Sequence, residues 1–289
     1  MDVSNPEMLC DIVRTSPPSR AGYILKGCED SMKINESFNE MAKLYDEVRP
    51  SYPKDLIEDI ILRTHITPKD KLLEIGAGTG KATLQFLRRD FQVHCIEPGQ
   101  NLVDILKTKC LNDPNITIDV DSFENWEAKS NQVYDLIFSA SAFHWIRPEI
   151  RYEKTHKLLK EGGYLAIFGY QADKTIDVAK KIDTLITSFV PDFFENPVFS
   201  IEKFESELNS TPYFNQLEVL EYPVESNIEI EKYIQSINSN AKFAALERDI
   251  KANINLEMKK VLSQNGNFVY NRLIYYLFLA KKAKMKLLG

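Results

Sequence analysis

The 289-residue chain lacks the marks of several large protein classes. Its four cysteines, Cys10, Cys28, Cys95 and Cys110, are scattered and form no C-x-x-C pair. That pattern offers neither a metal knuckle nor a disulfide framework and fits a reducing cytosol. No apolar run approaches the roughly 20 residues that cross a bilayer. The longest, around Leu273 to Ala280, is strand-sized and holds two tyrosines. The first thirty residues contain no apolar stretch of the secretory kind. Excess positive charge is also missing. With 36 Lys and Arg against 42 Asp and Glu, the net charge is −6, which disfavours a nucleic-acid backbone as partner. The one basic cluster, Lys281, Lys282, Lys284 and Lys286, reads as a solvated end. What remains is an ordinary globular composition, 44% hydrophobic and 27% charged, with apolar residues enough for a full core. The expectation is a cytoplasmic protein with no membrane and no nucleic acid among its partners.

What the chain does carry is concentrated between Lys71 and Ala82: an apolar run, three alternate glycines (Gly76, Gly78, Gly80), then helix formers. This is a strand entering a tight turn that a nucleotide-like ligand can approach closely, because glycine reaches positive φ and has no side chain in the way. Spacing removes two ligand classes. A dinucleotide turn needs G-x-G-x-x-G, and from Gly76 the third glycine position is Lys81. A P-loop needs G-x-x-x-x-G-K-[ST], and here Ile75 and Ala82 stand at its first and last positions. A ligand-free strand-to-helix turn is the bland alternative.

Further strands follow. Val93 to Ile96 is a short apolar run ending at Glu97-Pro98-Gly99, and Ile116 to Val120 ends at Asp121-Ser122-Phe123. Val133 to Phe138 is the fourth and Tyr164 to Phe168 the fifth. Glu97 lies roughly 20 residues past the glycine turn, where open α/β sheets place an acid against ribose hydroxyls. Helices are expected over 81–89, 100–110 and 148–160, the last stopping at Gly162-Gly163. Alternating βα units imply a doubly wound, mostly parallel α/β sheet. Further along, a helix follows from Val178, Ile182, Leu185 and Phe189, another near 201–208, a strand over 217–224, a helical block over 229–263 and a closing strand over 268–279. Near the start, a short helix is expected over 38–45, and Leu56, Ile57, Ile60 and Ile61 mark an amphipathic helix before the first strand.

The E-x-G-x-G-x-G segment headed by Glu74 resembles motif I of the class I S-adenosylmethionine (SAM) methyltransferases. The resemblance covers about residues 32–289. It implies a Rossmann-like seven-stranded sheet with an antiparallel final strand, and helical insertions, about 171–212 and 226–263, that cap the site. Residues 1–31 then form a poorly ordered extension, and translation could begin at Met32 rather than Met1. Glu74, Gly76, Ala77, Gly78 and Gly80 would serve the methionine part of SAM, Glu97 the ribose, and Asp121, Ser122 and Phe123 the adenine. No metal is implied, and S-adenosylhomocysteine (SAH) is the product.

Tyr45-Asp-x-x-Arg49-Pro-x-Tyr-Pro53 is similar to a signature of a subgroup that includes trans-aconitate methyltransferases, as is Phe143-His144-Trp145 after the fourth strand. Tyr45 and Arg49 are then candidates for the methionine carboxylate or an acidic substrate. The alternative is that Arg49 pairs with Asp46 or Glu47 at the surface. His144 and Trp145 are candidates for substrate contact. His144 could be a general base, orient the substrate, or brace the loop. A carboxylic acid acceptor needs no base, being ionised at neutral pH. Neither the Asn/Asp-Pro-Pro-aromatic tetrapeptide of base and glutamine-amide methylases nor the Pro-Cys of cytosine enzymes is present. The reading is therefore a small-molecule methyltransferase. A SAM-binding sensor and an enzyme acting on a protein stay open, and the oligomeric state is not legible.

Overall fold

The computed structural model describes residues 41–194 and 200–284. The expected extension 1–31 and the first residues of the helix expected over 38–45 lie outside them. One seven-stranded sheet organises the chain, in the order β3-β2-β1-β4-β5-β7-β6. Its strands are β1 (Lys71–Ile75), β2 (Gln92–Ile96), β3 (Ile116–Asp119), β4 (Tyr134–Ala140), β5 (Leu159–Ala172), β6 (Phe214–Glu229) and β7 (Phe268–Lys282). The first five pair in parallel, whereas β7 runs antiparallel to both β5 and β6.

The central strands read as continuous apolar runs because both sheet faces are covered. Successive side chains point to opposite faces. Leu72, Leu136, Phe138, Ala166, Phe168, Leu277 and Leu279 belong to one core. Their neighbours Leu73, Ile137, Leu165, Ile167, Phe278 and Ala280 belong to the other. Helices α1 (Ala42–Val48), α2 (Lys54–Thr64), α3 (Thr83–Leu87) and α4 (Gln100–Lys109) come first in the chain. The first core takes Leu56, Ile57 and Ile60 of α2, Phe86 of α3 and Leu106 of α4. The second takes Tyr152 and Leu158 of α5 (Pro148–Leu158) and Phe204 and Leu208 of α7 (Ile201–Ser210). A third cluster stands apart under the cap: Ile182 and Ile186 of α6 (Asp177–Phe189), Tyr233 and Ile234 of α8 (Ile230–Asn238), Phe243 of α9 (Ala241–Ala244), and Ile254 and Met258 of α10 (Arg248–Leu262).

Three boundaries differ from those expected. Helix α5 ends at Leu158 rather than at the glycine pair, since Leu159 is buried and already pairs with Tyr134 in the sheet. Leu136 next pairs with Tyr164, so residues 160–163 bulge opposite Asp135. A Cβ on Gly163 would come within 2.9 Å of the Asp135 carbonyl oxygen. Helix α3 has five residues, much shorter than 81–89. The last two strands are longer than expected and stay paired out to Glu229↔Phe268, so β6 runs beyond residue 226, where the second insertion was expected to begin. That extended ribbon becomes a wall for the cap. Among the described residues no helix is long and apolar enough to cross a membrane.

Candidate active site

The glycine turn follows β1, at the carboxyl edge of the parallel strands where open α/β sheets bind ligands. Two of its glycines answer to packing. A Cβ on Gly76 would lie 2.4 Å from the Cβ of Ala142, and one on Gly80 would lie 2.4 Å from Leu106 Cδ1. Gly78 is different. Its φ is +56° and a Cβ there would meet no atom within 4 Å. Its left-handed backbone alone favours glycine, and the space beside it is open to the adjoining cavity.

That cavity has a volume of about 320 Å³, within the usual scale of small-molecule sites, roughly 300–1,000 Å³. Of the residues singled out from the sequence, it is walled by Tyr45, Gly76, Gly78, Glu97, Ser122, Phe123 and Trp145. Glu97 follows β2 and is almost fully buried. Its Oε2 accepts the Gly78 N–H at 2.9 Å and its Oε1 the Gly99 N–H at 2.8 Å. Burial raises its carboxyl above the usual range, against the pull of those two amides. Each oxygen keeps a lone pair for a further donor, as binding a vicinal diol requires. Phe123 and Leu102 supply apolar wall. With α3 so short, the helix dipole expected behind the turn is small.

Asp121 is not among the wall residues; its Oδ1 accepts the N–H of Ser122 at 2.7 Å. Among the ten wall residues outside the expected site residues are Leu102, Glu124 and Ser141. Leu102 was detectable, one turn into the helix after Gly99. Ser141 was not: its φ of +58° is a conformation that nothing in its residue type announces. Its Oγ meets the Tyr52 hydroxyl at 3.0 Å.

Helix α1 closes over the turn. The Asp46 Oδ1 accepts from Thr79 Oγ1 at 2.7 Å and from the Lys109 ammonium, while Lys81 Nζ donates to the Asp46 carbonyl at 2.8 Å. Burial alone would raise the Asp46 carboxyl, but the bonds from Lys109 and Thr79 outweigh it and the net shift is downward. This clamp also rules out the surface pairing of Arg49 with Asp46. Arg49 instead donates to the Tyr170 hydroxyl at 3.1 Å and to the Ser239 carbonyl at 2.9 Å. Its guanidinium lies 5.4 Å from the Tyr45 ring centroid.

Behind the turn is a hollow of about 30 Å³ that shares Tyr45, Gly76, Gly78 and Ala140 with the first cavity. Glu74, Ala77 and Lys81 face it. Burial pushes the Glu74 carboxyl up to about 8, although Thr83 Oγ1 donates to its Oε2 at 2.5 Å. Its Oε1 is buried with no hydrogen-bond partner among the described residues. Through Arg49, Pro50 and Tyr170 the hollow adjoins a second cavity of about 1050 Å³ under the cap. Gly80 and His144 wall none of the three spaces. His144 sits in a short turn after β4, and burial, with Arg151 nearby, lowers it to about 4. It is a neutral imidazole at physiological pH.

Comparison with known proteins agrees with this geometry. Residues 72–163 match the family model described as a methyltransferase domain. The chain is 27% identical over 160 residues to malonyl-[acyl-carrier protein] O-methyltransferase 1 of Ilyobacter polytropus, an alignment covering 54% of this chain and 59% of that protein. It spans half to three-fifths of the length of the first curated relatives it matches. Among solved structures, an Anaeromyxobacter dehalogenans protein assigned as a type II methyltransferase superposes with a TM-score of 0.59 at 18% identity, covering 81% of this chain and 97% of that one. A Haemonchus contortus phosphoethanolamine N-methyltransferase in complex with S-adenosylhomocysteine gives 0.55 at 16% identity, covering 88% of this chain and 60% of that one. Those likenesses show the fold. Together with the matched segment they give the chain a methyltransferase-like fold.

Proposed function

We propose that the protein transfers the methyl group of SAM to a small-molecule carboxylic acid. The observation that carries the donor assignment is Gly78: a left-handed glycine whose side-chain direction is open, its N–H held by the Glu97 carboxylate at the wall of the first cavity. When bound, SAM supplies a sulfonium methyl that is lost to a nucleophile as the sulfur becomes a neutral thioether. Glu97 would hold the ribose and Phe123 with Ser122 the adenine. Tyr45 and the turn would hold the methionine end, Glu74 and Ala77 contributing from the hollow. Asp121 would act through Ser122 rather than on the ligand directly. Trp145 would close the wall.

An acid acceptor suits the hollow because it asks nothing of the ionisable groups there. At neutral pH Glu74 is largely protonated, Tyr45 is pushed up to about 12, and His144 lies elsewhere. A carboxylate oxygen needs no base: its lone pair forms the new C–O bond, the C–S pair goes to sulfur, and no proton moves. A relative named as an O-methyltransferase supports an oxygen acceptor. The chain's own part is to hold nucleophile, methyl and sulfur in line, an effect worth up to roughly 7–11 kcal/mol. A sensor would need the first cavity but has no use for the second. The net charge argues against nucleic acid, and the buried free thiols Cys95 and Cys110 suit the cytosol.

Calorimetry with SAM and SAH tests the premise. Micromolar binding of both is expected, and no binding at millimolar concentration sinks it. Labelled-methyl transfer to a panel of carboxylic acids, phenols, amines and proteins then tests the acceptor. Label on a protein but on no small acid would overturn that half of the reading.

A further inference from the structure

Resting on the donor assignment above, we infer that the second cavity takes a large, mainly apolar monocarboxylate, its body under the cap and its carboxylate against Arg49. Size excludes a small polyacid as the natural fit. The space of about 1050 Å³ lies at or above the top of the usual range for small-molecule sites, roughly 300–1,000 Å³. A six-carbon acid would leave most of it, including its apolar wall, to water. Beside polar residues such as Gln171, Ser236 and Asn271, the walls carry the buried apolar side chains Ile182, Ile186, Phe193, Tyr233 and Tyr275. They come from α6, the segment after it, α8 and β7.

Charge places the head group. The other cations on the walls, Lys174 and Lys232, are exposed, and Lys174 is paired with Asp183 at 3.5 Å. Arg49 is the cation at the inner end, where the second cavity meets the hollow. It keeps its charge by favourable interaction with tyrosines, chiefly Tyr170 and Tyr45, against the cost of burial. It donates to two neutral oxygens, and its Nε is buried with no partner among the described residues. A half-buried guanidinium served only by neutral acceptors is poorly compensated, and a carboxylate matches its fork of donors. A carboxylate there sits at the hollow, facing the methyl group, while its hydrocarbon runs outward between the cap and the β6–β7 ribbon.

The test uses the full chain saturated with SAH and a series of straight-chain acids from butanoate to dodecanoate, below their micelle concentrations, with binding read by calorimetry. Affinity should rise roughly three- to fourfold per methylene, the factor set by burying a CH₂. Dodecanoate should bind at least tenfold tighter than dodecanol, and far tighter than a six-carbon tricarboxylate. Arg49→Gln should erase the preference for dodecanoate over dodecanol while SAH affinity stays as in wild type. Ile182→Trp, which fills the cavity, should weaken dodecanoate at least tenfold and leave SAH alone. If that variant does not fold, the wild-type series decides. Affinity independent of chain length, or a polyacid binding tighter than dodecanoate, overturns the inference while SAH binding keeps the donor reading. Loss of SAH affinity in Arg49→Gln with dodecanoate unaffected moves the guanidinium to the donor and overturns the head-group assignment. No SAH binding by the wild type removes both.

Discussion

The two cavities are built differently. Apart from Tyr45, every wall residue of the donor cavity falls between Ile75 and Ile146, at the ends of parallel strands or on the segments that follow them. The second cavity draws its walls from Val48 to Tyr275, from the cap helices, the end of β5 and both edges of a long antiparallel ribbon. The first is made by a short-range backbone shape, the second by side chains that meet only after the chain has folded. Donor binding should therefore be fragile to single backbone changes and indifferent to the cap. Acceptor binding should follow wall volume and one charge.

Gly78→Val attacks that contrast most directly. The substitution puts a branched side chain at φ +56° into the donor space, where no protein atom lies within 4 Å. The strain costs about 1–2 kcal/mol, which the fold should survive, whereas SAH affinity should fall more than about a hundredfold, or 2.7 kcal/mol. Calorimetry beside a melting curve separates the two. Wild-type affinity for SAH would mean that the turn does not face the donor at all. Glu97→Ala should be milder, losing about 1–3 kcal/mol of SAH affinity as a charged acceptor disappears. An unchanged affinity would place the ribose acid elsewhere.

This division also explains which parts could be read in advance. The sheet, the glycine turn and Glu97 are local signals: apolar runs of strand length, φ-specific glycines, an acid at a strand end. Those needed no tertiary knowledge. Asp121 failed as a wall residue because spacing locates the loop but not which side chain turns inward; Ser122 and Glu124 face the cavity on either side of Phe123. Ser141 was hidden by a backbone conformation that serine rarely adopts. How the expected cap helices pack escaped reading for a deeper reason. Those helices announced their own apolar stripes, yet stripes do not say which helix packs on which, nor that β6 and β7 outgrow the sheet and wall a cavity. The poorly ordered extension expected over 1–31 lies outside the described residues.

Glu74 sharpens the comparison within the donor half, because it faces the hollow and not the donor cavity. An unfolded chain ionises this residue near pH 4.5, whereas the folded one holds the proton until about 8. Between those values the unfolded state binds fewer protons, so stability declines as pH rises through that window. Glu74→Gln keeps an acceptor for Thr83 and removes the ionisation. The variant should match wild type near pH 4.5 and exceed it by about 1–2 kcal/mol near pH 8. Denaturant melts at both pH values check this. A constant difference between the two would show that Glu74 does not titrate in this range.

His144 carries the smallest expected effect and the clearest opposition between two readings. A general base is worth about 10²–10⁴ in rate, so its removal would be unmistakable. The ring walls neither cavity nor the hollow, and burial has lowered it to about 4. A group so weakly basic gains little by taking a proton at neutral pH, and a carboxylate acceptor has none to give. His144→Gln should then leave kcat within about threefold of wild type. Its mark should appear in stability instead. The folded state resists protonation that the unfolded chain accepts below about 6.5, so wild-type stability is lost as pH falls from there toward 4, and the variant should lose less. A hundredfold fall in kcat with an unchanged acid melt would reverse the assignment, returning His144 to the chemistry and requiring an acceptor that arrives with its proton.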